Sequence, residues 1–329
     1  MLLAGDLGGT KTDLALVDPQ RGPDALLERT RLASGDFDDL PALVERFCAG
    51  CAQPIERACF GVAGPVSNGR ARLTNLGWEL SETALAAALG LESVRLINDL
   101  AATAVALERL RPGESVTLQT GRPDPEGPIA VLAPGTGLGE GYAVRDGAGR
   151  RAVGTEGGHT DFAPLDAEGL DLLRYLWQRH DHVSYERVCS GIGLPNLLAF
   201  LRDSGRETEP VWLAERLAAA ADPNPVIAAA AAQTDPPCPL ARRTLELFCR
   251  LLGAEAGNLA LKVMATGGVY LAGGIPPRIR PWIESGGFLE AFRAKGRFRD
   301  LMQRLPVLLV DAPDLALRGA AIRVSDTGT

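Results

Sequence analysis

Apolar and polar positions along this chain follow two rhythms: short continuous apolar runs bounded by glycine, and longer stretches with helical spacing. Leu2-Leu3-Ala4 leads into Gly5-Asp6-Leu7-Gly8-Gly9-Thr10, and Asp13-Leu14-Ala15-Leu16-Val17 leads out. Later, residues 129–133 lead into Pro134-Gly135-Thr136-Gly137-Leu138-Gly139, and Gly141-Tyr142-Ala143-Val144 leads out. Both predict β-hairpins with glycine turns, which let a ligand approach the backbone closely. Consecutive N–H groups in such turns form anion sites, so one turn in each half of the chain suits a polyphosphate.

Between these hairpins the pattern predicts a helix over 40–48 and a strand over 58–62. Ser81 and Gly90 bracket a helix over 82–89. A strand over 94–97 follows, and Asn98-Asp99 opens a helix over 101–110. The polar, proline-bearing stretch 111–127 reads as a domain boundary. Beyond the second hairpin, helices are expected over 169–179, 184–189, 195–202, 211–221 and 240–261. Strands are expected over 269–272 and 306–310, and a small-residue helix over 315–322. Residues 203–233 are the least informative. An α/β protein of two domains follows, which fits a length of 329 residues.

The familiar phosphate motifs do not explain the turns. Thr10 separates Gly9 from Lys11-Thr12, which breaks the Walker pattern, and Gly135-x-Gly137-x-Gly139 misses the dinucleotide spacing. Lys11, Lys262 and Lys295 are the chain's only lysines, which argues against a phosphate-binding lysine. A net charge of -7 without a basic block argues against nucleic acid or an anionic membrane. No leader and no membrane-length apolar run is visible. The six cysteines are scattered, unlike a secreted framework, so a reducing cytoplasm is expected. Cys48-Ala-Gly-Cys51 has CxxC spacing but ends a helical stretch, which makes a redox or metal role a minor reading.

Several places could carry chemistry. Asp99 lies where a strand passes into a helix, a usual ligand position in open α/β sheets and a place for a carboxylate accepting a hydroxyl proton. By itself it reads first as an N-cap. Glu156-Gly157-Gly158-His159 offers an acceptor pair for sugar hydroxyls on a softened turn, or else a plain loop. Glu186 sits at a helix start, where a carboxylate stabilises the dipole in any case. His180 and His182 have metal-like spacing but no third ligand. Asn75 and Trp78 are candidates for bordering a sugar, although Trp78 reads first as core.

Taken together, the chain resembles the bacterial glucokinases, hexokinase relatives within the two-lobed actin-like sugar kinases. The resemblance runs nearly the whole length: GDLGGT at 5–10, TNLGW at 74–78, INDLAA at 97–102, GTGLG at 135–139, EGGHTDFAP at 156–164, ERVCSGIGL at 186–194, GGVYLAGGI at 267–275 and KGRF at 295–298. It implies an actin-like (ribonuclease H-like) α/β fold with a cleft between lobes. The small domain would span 1–110, completed by a C-terminal helix within 311–329, and the large domain 111–310. Asp99 becomes the catalytic base, and Asn75, Asn98, Glu156, His159 and Glu186 contact the sugar. Gly5, Asp6, Leu7, Gly8, Gly9 and Thr10 form the first phosphate loop, with Asp6 near magnesium through water. Gly135, Thr136 and Gly137 form the second, and Gly273-Gly274 lies at the adenosine end.

The implied reaction is phosphorylation of glucose at its 6-hydroxyl by ATP with Mg2+, in a homodimer needing no structural zinc. Another hexose or amino-sugar kinase of the same fold is the alternative, and a non-catalytic sugar-sensing regulator a weaker one. Two departures stand out. Lys11 replaces an asparagine common in the nearest relatives and looks more like the sister ROK kinases, whose cysteine-rich zinc motif does not follow His159. Glu140 puts a negative charge just beyond the second phosphate loop.

Overall fold

A computed structural model of the chain describes residues 1–23, 25–51, 53–147 and 149–326. It divides into two compact units, Met1–Pro112 with Gly141–Glu156 and Ala312–Thr329, and Gly113–Glu140 with Gly157–Asp311. Gly141–Glu156 therefore groups with the first unit, although it lies within the 111–310 stretch.

The first unit is built on a sheet of β1 (Leu2–Leu7), β2 (Lys11–Val17), β3 (Leu26–Ala33), β4 (Arg57–Val62) and β8 (Ser93–Asn98), in the order β3-β2-β1-β4-β8. β1 and β2 form the expected hairpin, with Asp6 opposite Asp13. β1, β4 and β8 run parallel, and Leu7, Val62 and Asn98 are register partners, so the three strands end together. Leu3, Leu7, Leu14 and Phe60 pack on one face, and Leu2, Ala4, Ala15 and Cys59 on the other. Burial on both faces explains why these strands read as continuous apolar runs.

α1 (Leu40–Cys48) fits its expectation and is capped by the Asp39 carboxylate, which accepts from the Ala42 N–H at 2.9 Å. α2 (Glu82–Leu89) ends at Gly90, whose φ of 66° only glycine adopts freely. The residues before it form a small antiparallel sheet of β5 (Val66–Ser67), β6 (Arg70–Leu73) and β7 (Trp78–Ser81), unseen in the pattern because the strands are short. α3 (Asp99–Ala106) continues as a tight turn over Leu107–Arg109. α13 (Leu315–Ser325) covers the second sheet face with Leu317, Ala320, Ala321 and Val324. Its Gly319 lies so close to α3 that an added Cβ would fall 1.8 Å from the Ala102 carbonyl oxygen.

The second unit holds β9 (Ser115–Gln119), β10 (Ile129–Pro134), β13 (Gly268–Leu271) and β14 (Val307–Val310), hydrogen-bonded in the order β10-β13-β14-β9. β10, β13 and β14 are parallel and β9 antiparallel. β9 lies inside the stretch expected to be a polar boundary. β11 (Leu138–Asp146) starts in this unit and continues into the first, where β12 (Gly149–Thr155) follows.

Its helices are α4 (Ala167–Trp177), α5 (Glu186–Cys189), α6 (Gly193–Asp203), α7 (Val211–Ala219), α8 (Pro223–Ala232), α9 (Pro239–Val263), α10 (Arg280–Glu284), α11 (Gly287–Arg293) and α12 (Arg299–Arg304). α9 is the spine of this core, with Leu245, Phe248, Leu252 and Ala256 buried. Gly253 and Gly257 let α11 approach it: a Cβ at either would meet the carbonyl oxygen of Phe288 at 2.1 Å or Phe292 at 2.7 Å. Among the described residues no helix is long and apolar enough to cross a membrane.

Candidate active site

The first unit gathers its candidate residues at the common carboxyl end of β1, β4 and β8. Asp6 is the penultimate residue of β1, and Asn98-Asp99 is the junction of β8 and α3. Gly61 of β4 lies between them, and a Cβ there would sit 3.7 Å from the Gly5 carbonyl oxygen and 3.8 Å from the Asp99 Cα. This small residue lets the two carboxylates sense each other. Desolvation pushes the Asp6 carboxyl up to about 7, with Asp99 and then Asp13 adding to the rise. Asp99 is pushed up to about 6, mainly by burial and further by Glu156, while the N–H of Leu100 holds it down.

The cap reading of Asp99 is corrected by the structure. The N-cap is Asn98, whose Oδ1 accepts from the N–H groups of Leu100 at 2.9 Å and Ala101 at 3.1 Å. Its Nδ2 donates to the Gly64 carbonyl at 3.1 Å. Asp99 is the first helical residue, and its Oδ1 shares the Leu100 N–H with Asn98 at 2.9 Å. Gly154 on β12 keeps this corner open, since a Cβ there would fall 1.8 Å from Asn98 Oδ1.

The first glycine turn closes through the Gly8 N–H donating to the Lys11 carbonyl at 3.0 Å, and the Ser34 hydroxyl bonds the Gly8 carbonyl at 2.9 Å. Asn75 lies against this turn, because a Cβ at Gly9 would come within 2.8 Å of its Nδ2. Trp78 is 5% exposed and belongs to the core. Thr10 and Lys11 are exposed, while Asp13 is held by Arg31, with contacts of 2.7 and 3.0 Å. Asp6, with two further carboxylates near it and its own proton affinity raised, suits a bound cation, which would relieve that repulsion.

The second unit converges on the turn between β10 and β11. The Gly135 N–H donates to the Gly137 carbonyl at 2.8 Å, and the Gly135 carbonyl accepts from Gly191 at 2.7 Å. Glu186 Oε2 accepts from the Leu138 N–H at 3.0 Å, and a Cβ at Gly137 would lie 2.3 Å from that oxygen. Gly158 packs on the same strand start: a Cβ there would fall 2.0 Å from the Leu138 carbonyl oxygen. The His159 and Glu186 segments are paired through Tyr185 N–H to Thr160 carbonyl at 3.0 Å and Phe162 N–H to Val183 carbonyl at 2.9 Å. Gly273, at φ 84°, lies against the end of β10, where a Cβ would be 2.6 Å from the Pro134 carbonyl oxygen. Gly274 follows it, and the Ile275 N–H bonds the same Pro134 carbonyl at 3.2 Å.

One neighbour of this turn escaped the sequence. Asn224, in the first turn of α8, approaches Gly191 within 3.3 Å of an added Cβ, beside Gly135 and Thr136. Its Nδ2 is bonded to Asp222, and its Oδ1 has no partner. The only signal was the Asp222-Pro223 helix start inside an alanine-rich stretch. His182 of the histidine pair bonds Asp161 at 3.0 Å, and among the described residues no cluster of three or more ligating side chains occurs. Cys48 and Cys51 are free thiols, and burial pushes Cys48 up to about 11.

Comparison with solved structures fixes the fold class. A glucokinase from an Antarctic psychrotroph superposes with a TM-score of 0.83 at 31% identity, covering 99% of both chains. A glucokinase from Balamuthia mandrillaris, solved in complex with glucose, gives 0.80 at 23% identity, covering 98% of this chain and 93% of that one. A ROK family glucokinase from Streptomyces griseus, solved with glucose and AMPPNP, gives 0.65 at 21%, covering 98% of each. The fold is that of the two-lobed, actin-like sugar kinases.

The family model described as Glucokinase matches residues 3–327. The glucokinase of Nostoc punctiforme is 40% identical over 98% of both chains, and that of Yersinia enterocolitica is 38% identical over 97% of this chain and 94% of its own. The chain belongs to the glucokinase family.

Proposed function

We propose that this chain transfers the γ-phosphoryl group of ATP to the 6-hydroxyl of glucose, with Asp99 as the general base. The observation that carries the assignment of the base is the division of labour at the start of α3. Asn98 caps the helix, which leaves the Asp99 carboxylate at the strand ends with a pKa raised to about 6. A base of that strength is mostly ionised at neutral pH yet binds a proton more firmly than an ordinary aspartate.

In the step itself the sugar O6 forms a bond to the γ-phosphorus while the bond from that phosphorus to the bridging oxygen breaks. ADP leaves with those electrons, and the O6 proton passes to Asp99. Catalysis of such transfers comes mainly from positioning and charge stabilisation. Asn75, Asn98, Glu156, His159 and Glu186 orient the sugar. Glu186 does so with one carboxylate oxygen, since Oε2 is engaged by Leu138. The turns at Gly5–Thr10 and Gly135–Gly137 hold phosphates, and Gly273-Gly274 borders the nucleoside. Asp6 would hold Mg2+ through water, and the ion would neutralise phosphate charge.

Six thiols dispersed through a chain of this size fit a cytoplasmic enzyme. The test is coupled detection of ADP with glucose, mannose, fructose and N-acetylglucosamine as acceptors. Glucose is expected to show the highest kcat/KM, and a preference for another of these sugars would replace it as the substrate.

A further inference from the structure

Two of the chain's three lysines, in a protein whose other fixed cations are arginines, stand in one place behind the second glycine turn. Lys295 Nζ donates to Asn258 Oδ1 at 2.5 Å and to the Ala254 carbonyl at 2.8 Å. Asn258 in turn donates from Nδ2 to Glu255 Oε2 at 2.8 Å and to the Tyr185 hydroxyl at 2.9 Å. The Tyr185 hydroxyl also bonds the Glu255 carboxylate, and Lys262 reaches that carboxylate from the surface at 3.7 Å. Glu255 is fully buried, and Glu140 of β11, 1% exposed, faces it. The negative charge that the sequence placed beyond the phosphate loop therefore points into this cluster.

The cluster touches the active site through the backbone. Tyr185 immediately precedes Glu186, whose carboxylate holds the Leu138 N–H, and Glu140 stands two residues beyond Leu138. The start of β11 is thus held at Leu138 by Glu186, and two residues further on Glu140 is buried beside Glu255.

We propose that Lys295 is a positioning residue for phosphoryl transfer: through Asn258, Glu255 and Tyr185 it fixes Glu186 and the strand that leaves the second glycine turn. Lysine suits the place because a compact ammonium on a slim stem fits a channel that a planar guanidinium does not. A Cβ at Gly257 would lie 2.6 Å from Lys295 Cε, which shows how narrow that channel is. The desolvated ammonium has its pKa lowered and the facing carboxyls have theirs raised, as expected of groups enclosed together. Removing Lys295 leaves the buried carboxyls with only the partly exposed Lys262, 3.7 Å from Glu255, and Asn258, which orients the Tyr185 hydroxyl, loses the ammonium that holds its own oxygen.

This role presupposes the kinase assignment, so its test combines kinetics with a readout that needs no substrate. In Lys295→Met, amide exchange at Leu138 in the free protein should quicken by about tenfold or more, the size of one lost charge-assisted hydrogen bond. The glucose KM should rise by a similar factor, with a smaller fall in kcat. Adding Glu255→Gln should restore both, because the buried charge that Lys262 alone would then face is gone. Tyr185→Phe, which deletes one hydroxyl and keeps the ring, should reproduce a smaller shift in the same two readouts and covers the case in which Lys295→Met does not fold. A folded Lys295→Met or Tyr185→Phe protein with normal Leu138 exchange and normal KM overturns the proposal, even if its melting temperature falls. Loss of Leu138 protection in a chain whose wild type phosphorylates no sugar would overturn the kinase assignment and leave the positioning intact.

Discussion

Replacing Asp99 with asparagine should inactivate the enzyme and stabilise it at the same time. The carboxylate is charged in a desolvated corner, so its folded-state pKa stands at about 6 against an ordinary 3.8. For a raised carboxyl the sign is fixed: its contribution is fully present below the unfolded pKa and is lost as pH rises towards the folded one. Above that window the ionised group opposes folding by about 3 kcal/mol at most, from the cost of each pKa unit. Asparagine removes the charge and still offers an oxygen to the Leu100 N–H, which Asp99 Oδ1 accepts at 2.9 Å. The cap is untouched because it belongs to Asn98.

Asp99→Asn should therefore melt several degrees higher than wild type at pH 7.5 and at the same temperature near pH 4, where both side chains are neutral. An amide cannot take the O6 proton, so kcat should drop by about a hundredfold or more. The assay is a coupled turnover measurement beside melts at the two pH values and a glucose titration. Near-normal turnover in a folded, glucose-binding variant would refute the base. An unchanged or lower melting temperature at pH 7.5 would refute the desolvated charge.

Other outcomes follow from the same geometry. Glu156→Gln or His159→Ala should raise the glucose KM by about tenfold, the cost of one sugar hydrogen bond, with little change for ATP; unaltered glucose saturation in both would remove them from the sugar site. Gly319→Ala should destabilise the first unit by about 2–3 kcal/mol, since its methyl would fall 1.8 Å from the Ala102 carbonyl oxygen and α13 must retreat from α3; an unchanged melt would contradict that contact. Glu140, pushed up to about 8 by burial beside Glu255, contributes stability that is lost as pH rises from its ordinary 4.5 through 8. Glu140→Gln should match wild type near pH 4.5 and exceed it at pH 9, and equal melts at pH 9 would show that the carboxyl is not desolvated.

The sequence alone determined the strands buried on both faces and the helices that present one apolar face. Leu2–Leu7 and Leu40–Cys48 are cases in point, because local periodicity and burial are the same information there. It also showed the two glycine turns, where close approach and not a left-handed backbone narrows the choice of residue: a Cβ at Gly8 would lie 2.8 Å from the Lys11 carbonyl oxygen and one at Gly137 2.3 Å from Glu186 Oε2. It did not reveal β3, whose residues Glu28, Arg29 and Arg31 face solvent at the sheet edge, so pairing and not burial defines it. Nor could it divide the work between Asn98 and Asp99, two residues with equal claims on one helix start. That choice depends on which side chain turns back to the Leu100 and Ala101 N–H groups.

Position in space decided the rest. Glu140 reads as a charge beside phosphates, but strand alternation from Leu138 turns it towards Glu255, which lies 115 positions away on α9. Asn224 meets Gly191 only because α8 packs beside the glycine turn. Contacts between distant segments are set by how whole elements pack, and no local pattern of side chains encodes them.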